Sequence, residues 1–229
     1  MSKRRKALDL LDVGVKEDLP AGSFSTWLRN MRDTLRSNTG SDVPCGDCTA
    51  CCTSSQFIHI APEEADVLAQ IPKALLFPAP GLPEGNVLMG YNTHGHCPML
   101  IDNKCSIYAH RPQTCRNYDC RVFPAAGITP DEAEKAFVAK RVKRWKFNSE
   151  SARDETLHAA VKSAAIFLRE HAECFPNGVP RNATQLAALA IKVHAVFLGG
   201  GTSESAERSN EEIANAIIRA NAEFATNPQ

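Results

Sequence analysis

The sequence has no excess of charge: 26 Lys and Arg stand against 26 Asp and Glu. A protein built mainly to grip nucleic acid shows a strong basic surplus, so the balance argues against that class. Long apolar runs are missing too. The most apolar stretch, 186–198, is interrupted by Lys192 and His194, and no run of 18 apolar residues exists, so no membrane span is expected. The basic start, Met1 to Lys6, resembles the opening of a secretion signal. Asp9 and Asp12 break the apolar segment that would have to follow, and no small-residue cleavage site comes after them. The expected location is therefore the cytoplasm. Glycine (13) and proline (14) are ordinary, so no low-complexity tract is present. What remains is globular: 229 residues, 43% hydrophobic and 23% charged, suit one domain or one domain with a helical appendage.

Cysteine is the residue in surplus. There are nine, eight of them between Cys45 and Cys120, with Cys174 alone. The first cluster is Cys45-Gly-Asp-Cys48-Thr-Ala-Cys51-Cys52. Its two-residue spacers bring three sulfurs round a common centre, and Gly46 and Ala50 let backbone amides approach them. Bacterial ferredoxins use the same double spacing, followed by a Cys-Pro pair; here such a pair, Cys97-Pro98, comes much later. Zinc ribbons use single two-residue spacers. The second cluster holds Cys97, Cys105, Cys115 and Cys120. Disulfides suit a reducing cytoplasm poorly, and adjacent Cys51 and Cys52 are badly placed for an ordinary bond. Metal ligation explains all eight at once: Cys45, Cys48, Cys51, Cys52, Cys97, Cys105, Cys115 and Cys120 are the candidate ligands. Thiolates are soft donors and select zinc, iron–sulfur or copper(I) over magnesium or calcium. Eight of them complete two four-coordinate sites, or one cluster with spare thiols. Arg111, Arg116 and Arg121 lie among them, either as cations that stabilise an anionic centre or as partners of Asp102 and Asp119.

CGDCTACC at 45–52, GHCPML at 95–100, CSIY at 105–108 and RPQTCRNYDC at 111–120 together resemble the CxxCxxCC family of zinc- or iron-chelating domains. The resemblance covers roughly residues 45–124. It implies that the eight cysteines correspond to those of the family, and that Arg111-Pro112 matches its Arg-Pro. A bacterial flagellin lysine N-methylase shares this type of cysteine domain, which implies a possible modification of a protein side chain. The resemblance does not extend over 130–229.

Other candidates are weaker. His94 and His96 flank Gly95 beside Cys97, and each is a ligand or proton-carrier candidate. Gly199 to Gly201 lacks the lysine and spacing of a phosphate loop and reads as a linker between helices. The run 140–147 is basic and aromatic. It suits RNA or an acidic partner, but it reads more readily as the basic end of a helix whose first turn holds Asp131, Glu132 and Glu134. Cys174 reads as a packing residue.

Helical spacing of Phe24, Trp27, Leu28, Met31 and Leu35 predicts a helix over 23–37. Helices are also expected over 62–70, 130–145, 151–174, 184–198 and 203–224. Short strands are expected at 56–60, 87–91 and 99–101, a turn at 102–104, and a loop over 72–85. The fold class is therefore α+β: a small cysteine-rich metal-binding core with short strands, covered by an N-terminal helix and C-terminal helices. The expected division is a tail and amphipathic helix over 1–40, the cysteine-rich domain over 41–128, and a helical region over 129–229. The functional expectation is a metal-binding protein. An iron–sulfur cluster, [4Fe-4S], is the first choice and Zn2+ the second. The alternatives are a lysine N-methylase-like enzyme and a structural zinc module for a protein partner.

Overall fold

The chain folds as an α+β molecule, seen in a computed structural model that describes residues 17–41, 43–130, 133–199 and 208–226. The expected tail before residue 17, the linker glycines at 200 and 201 and the expected helix start at residue 203 lie outside the described residues. The N-terminal half comprises β1 (Leu19–Ser23), α1 (Phe24–Ser37), β2 (Ile58–Ile60), α2 (Ala65–Leu68), β3 (Leu76–Pro78), β4 (Val87–Met89), β5 (Leu100–Ile101) and β6 (Lys104–Cys105). There follow α3 (Gln113–Asn117), α4 (Val122–Ala126), α5 (Ala136–Val142), β7 (Trp145–Asn148), α6 (Ala152–Glu170), α7 (Ala183–Val193) and α8 (Asn210–Thr226).

Helix α1 forms where the apolar spacing predicts it and buries Phe24, Trp27, Leu28 and Met31 on one face. It ends at Asn38, whose left-handed backbone (φ 54°) returns its N–H to the Thr34 carbonyl. Helix α6 begins at Ser151, which caps it by accepting from the Asp154 N–H at 3.1 Å. Asn182 does the same for α7, accepting from Thr184 and Gln185. These helices share one large apolar core. Small residues (Ala164, Ala165, Ala187, Ala190) let them pack closely round Phe24, Val161, Leu168, Ile191 and Ile217.

The helices expected over 151–174 and 184–198 close with 3-10 turns after Glu170 and Val193, and residues 19–23 form a strand. Three further segments differ from expectation. The stretch 130–145 is a 3-10 turn (Ala133–Lys135) and then α5, while Trp145 opens strand β7. Parallel pairing with β1 (Leu19↔Trp145, Ser23↔Asn148) and burial of the indole override the helical pattern. The proline-rich stretch 72–85 is not all loop: β3 pairs antiparallel with β4, and Pro78 is tolerated because β3 is an edge strand. The expected helix over 62–70 contracts to the four residues of α2.

A second, smaller core lies under the sheet β2-β4-β3. It contains Ile60, Val67, Ile71, Met89, Met99 and Ile107, with Cys97 and Cys105 packed against it. This core is the back wall of the cysteine site.

Candidate metal centre

Four local devices place the cysteines. In the first cluster the chain turns tightly, with the Cys48 N–H on the Cys45 carbonyl at 3.0 Å and Gly46 at φ +55°. A backbone clasp then joins the two clusters: the Cys97 N–H donates to the Cys52 carbonyl at 2.7 Å, and the Ser55 N–H to the Gly95 carbonyl at 2.8 Å. Gly95 has φ +77°, and a Cβ there would collide with Ser55 Oγ, so the clasp requires glycine. Cys105 sits on β6, returned by a two-residue turn with Asp102 and Asn103 at φ 48° and 58°. Cys115 rides on α3 just after Arg111-Pro112, and Cys120 just precedes α4.

Helix α3 is tied from several sides. The Gln113 N–H donates to Glu64 Oε1 at 2.6 Å, Thr114 Oγ1 to the His59 carbonyl at 2.8 Å, and Asn117 Nδ2 to Asn38 Oδ1 at 2.9 Å. The far side of Cys120 is fixed by Asp119, whose buried carboxylate accepts from Trp27 Nε1 and Ser41 Oγ (both 2.9 Å) and from Arg121 Nη2 at 2.8 Å.

The result is two adjoining clefts. The larger, about 390 Å³, is lined by Cys45, Cys48, Cys51, Cys52, Cys97, Cys105 and Cys115 over an apolar wall that includes Ile58, Met89 and Met99. The smaller, about 110 Å³, is lined by Cys45, Cys48, Cys51, Cys115 and Cys120. All eight predicted cysteines thus belong to one connected region. None of the nine cysteines is in a disulfide. The thiols line walls rather than meet at a point: Cys51 and Cys52 stand 3.9 Å apart, and among the described residues no three His, Cys, Asp or Glu side chains are grouped closely enough to hold a metal ion as they stand. His94 and His96 are outside both linings, with their N–H groups on Asn92 Oδ1. Cys174 is also outside them and packs against the large core.

Residues 44–143 match the CxxCxxCC family, described as a putative zinc- or iron-chelating domain. The match covers less than half of the chain and shows what that stretch is similar to. Comparison with curated proteins and with solved structures finds no match. The domain match and the thiol-rich clefts together support metal binding.

The donor chemistry of the cysteine-rich stretch fits a soft metal. Burial pushes the Cys115 and Cys120 thiols up to about 12 each and Cys45 to about 11, and neighbouring thiols push the same way. The contact with Cys52 raises Cys51, and burial raises Cys97. Without a cation these groups hold their protons at neutral pH. A metal ion removes that penalty by taking the thiolates as ligands, with release of the protons.

The surroundings carry positive charge and sulfur-directed donors. Arg111 lines both clefts, its guanidinium carbon 3.9 Å from the Tyr108 ring centroid. Arg121 instead holds Asp119, and Arg116 reaches Gln113 Oε1 at 2.8 Å. Three residues had not been singled out from the sequence. Arg141 lines the smaller cleft and donates to the Pro44 and Cys45 carbonyls at 3.3 Å. Trp145 Nε1 donates to Cys120 Sγ at 3.2 Å. Tyr118 lines both clefts. Arg141 and Trp145 were hidden in the basic run 140–147, and the only sequence signal for Tyr118 is its place between Cys115 and Cys120.

Proposed function

We propose that the cysteine-rich stretch holds an iron–sulfur centre whose ligands come from Cys45, Cys48, Cys51, Cys52, Cys97, Cys105, Cys115 and Cys120, with [4Fe-4S] favoured and Zn2+ the alternative. One observation carries the reading: seven thiols share a single cleft of about 390 Å³. Four thiolates saturate one zinc ion or one [4Fe-4S] cluster alike, so it is the size of the shared cleft, not the thiol count, that suits a polynuclear centre better than a lone ion. Each cluster of the sequence contributes, and the clasp between Cys52 and Cys97 holds the two sides together. Unpaired thiols throughout favour a reducing compartment, in keeping with a cytoplasmic protein. The unit that carries the centre is read as 41–128, framed by the helical segments before and after it.

Protein isolated without oxygen should be brown, with a broad sulfur-to-iron absorption in the violet and acid-labile sulfide. Colourless protein with stoichiometric zinc would reject the iron–sulfur form. A structural zinc role is the second reading, favoured by the smallness of the core behind the cysteines, which has six buried apolar residues. Cores of that size are commonly stapled by metal.

A further inference from the structure

The Tyr118 hydroxyl is buried and, among the described residues, lacks a well-formed hydrogen bond. Gln56, on the wall of the larger cleft, lies near enough to draw the Tyr118 pKa down, yet no hydrogen bond of good geometry joins the two side chains. The only other such atom among the described residues, Arg36 Nε, belongs to a guanidinium stacked 4.3 Å from the Phe224 ring centroid, so its burial has a packing cause. Tyr118 has no comparable excuse. It borders both clefts together with Cys45, Cys48, Cys51 and Cys115, at the wall the two clefts share. A buried hydroxyl left unpaired is unfavourable, and natural proteins keep few of them.

We propose that Tyr118 is a positioning residue of the centre, its Oη–H donating a hydrogen bond to a sulfur of the bound metal site. The inference rests on the metal-binding reading above. Trp145 shows the same type of contact already made, its indole N–H directed at Cys120 Sγ at 3.2 Å. With both donors in place, two sulfurs of the site have a hydrogen bond that orients them and withdraws electron density from them. Outer groups of this kind commonly change metal affinity 10–100-fold when removed.

Tyr118→Phe removes the hydroxyl and keeps the ring. Wild type and variant would be loaded with cobalt(II), and in parallel with iron(II) and sulfide under nitrogen. The readouts are the sulfur-to-metal charge-transfer band, a chelator competition, and circular dichroism of the metal-free proteins. The expected result is a red-shifted band and roughly tenfold weaker retention, with unchanged metal-free dichroism. A donor to sulfur lowers the energy of its lone pairs, so losing it moves the band to longer wavelength. A purely packing role would leave the band unmoved. Loaded variant and wild type with identical bands and retention would overturn the proposal, as would a variant whose only change is a less stable metal-free fold. Wild type that loads with neither preparation would overturn the metal reading itself, and this inference with it.

Discussion

Single residues divide into those that face the clefts and those that hold the walls. Cys115 and Cys174 make the contrast within one residue type. Cys115 is on both cleft linings and Cys174 on neither. Cys115→Ser should lose a substantial part of the bound metal per chain, and Cys174→Ser should keep all of it; metal analysis of the two purified variants checks this. Asp119 illustrates the walls. Its carboxylate is completely buried and joins α1, the 39–41 turn and Arg121 beside Cys120. Removing one member of a buried ion pair is strongly destabilising, so Asp119→Ala should cost about 3–5 kcal/mol in urea unfolding. A loss below about 1 kcal/mol would show that the network is dispensable.

At the scale of elements, the junction between α1 and α6 is electrostatic as well as apolar. Asp154 in the first turn of α6 accepts from the Ser25 N–H at 2.7 Å and from Ser151 Oγ at 2.8 Å. The Ser25 backbone contact leads the causes that lower its pKa from 3.8 to about 2. The folded value is below the unfolded one. The contact therefore stabilises the fold fully above about pH 4, and that stability is lost as pH falls through about 2. Urea midpoints measured between pH 5 and pH 2 should fall more steeply for wild type than for Asp154→Asn.

Elements whose causes are local could be read from the sequence: the stripe of α1, the helix starting near residue 151, the turn at Asp102 and Asn103. The pair β1–β7 could not. Leu19-Pro-Ala-Gly-Ser23 has no alternation, and its partner Trp145–Asn148 lies at the far end of the chain's middle. Only tertiary pairing makes either segment a strand. The same limit applies to the site. Spacing revealed the cysteines, but Arg141 and Trp145 reach the smaller cleft only because α5 and β7 pack beside it.

The whole molecule has two cores of unequal size. The large one, from α1, α4, α5, α6, α7 and α8, is packed against one candidate ligand, Cys120. The small one is packed against Cys97 and Cys105. Stripping metal with a strong chelator should therefore raise amide hydrogen exchange over 45–60 and 87–120 while α6 and α7 keep their protection. Loss of protection in every helix at the same rate would mean that one cooperative unit includes the centre.

The most direct measurement is the metal and sulfide content of the full chain isolated anaerobically. Convergence of the two cysteine clusters on one bound centre predicts stoichiometric iron with sulfide, or stoichiometric zinc in the alternative form. Folded protein that carries neither metal, even after loading under nitrogen, would contradict it.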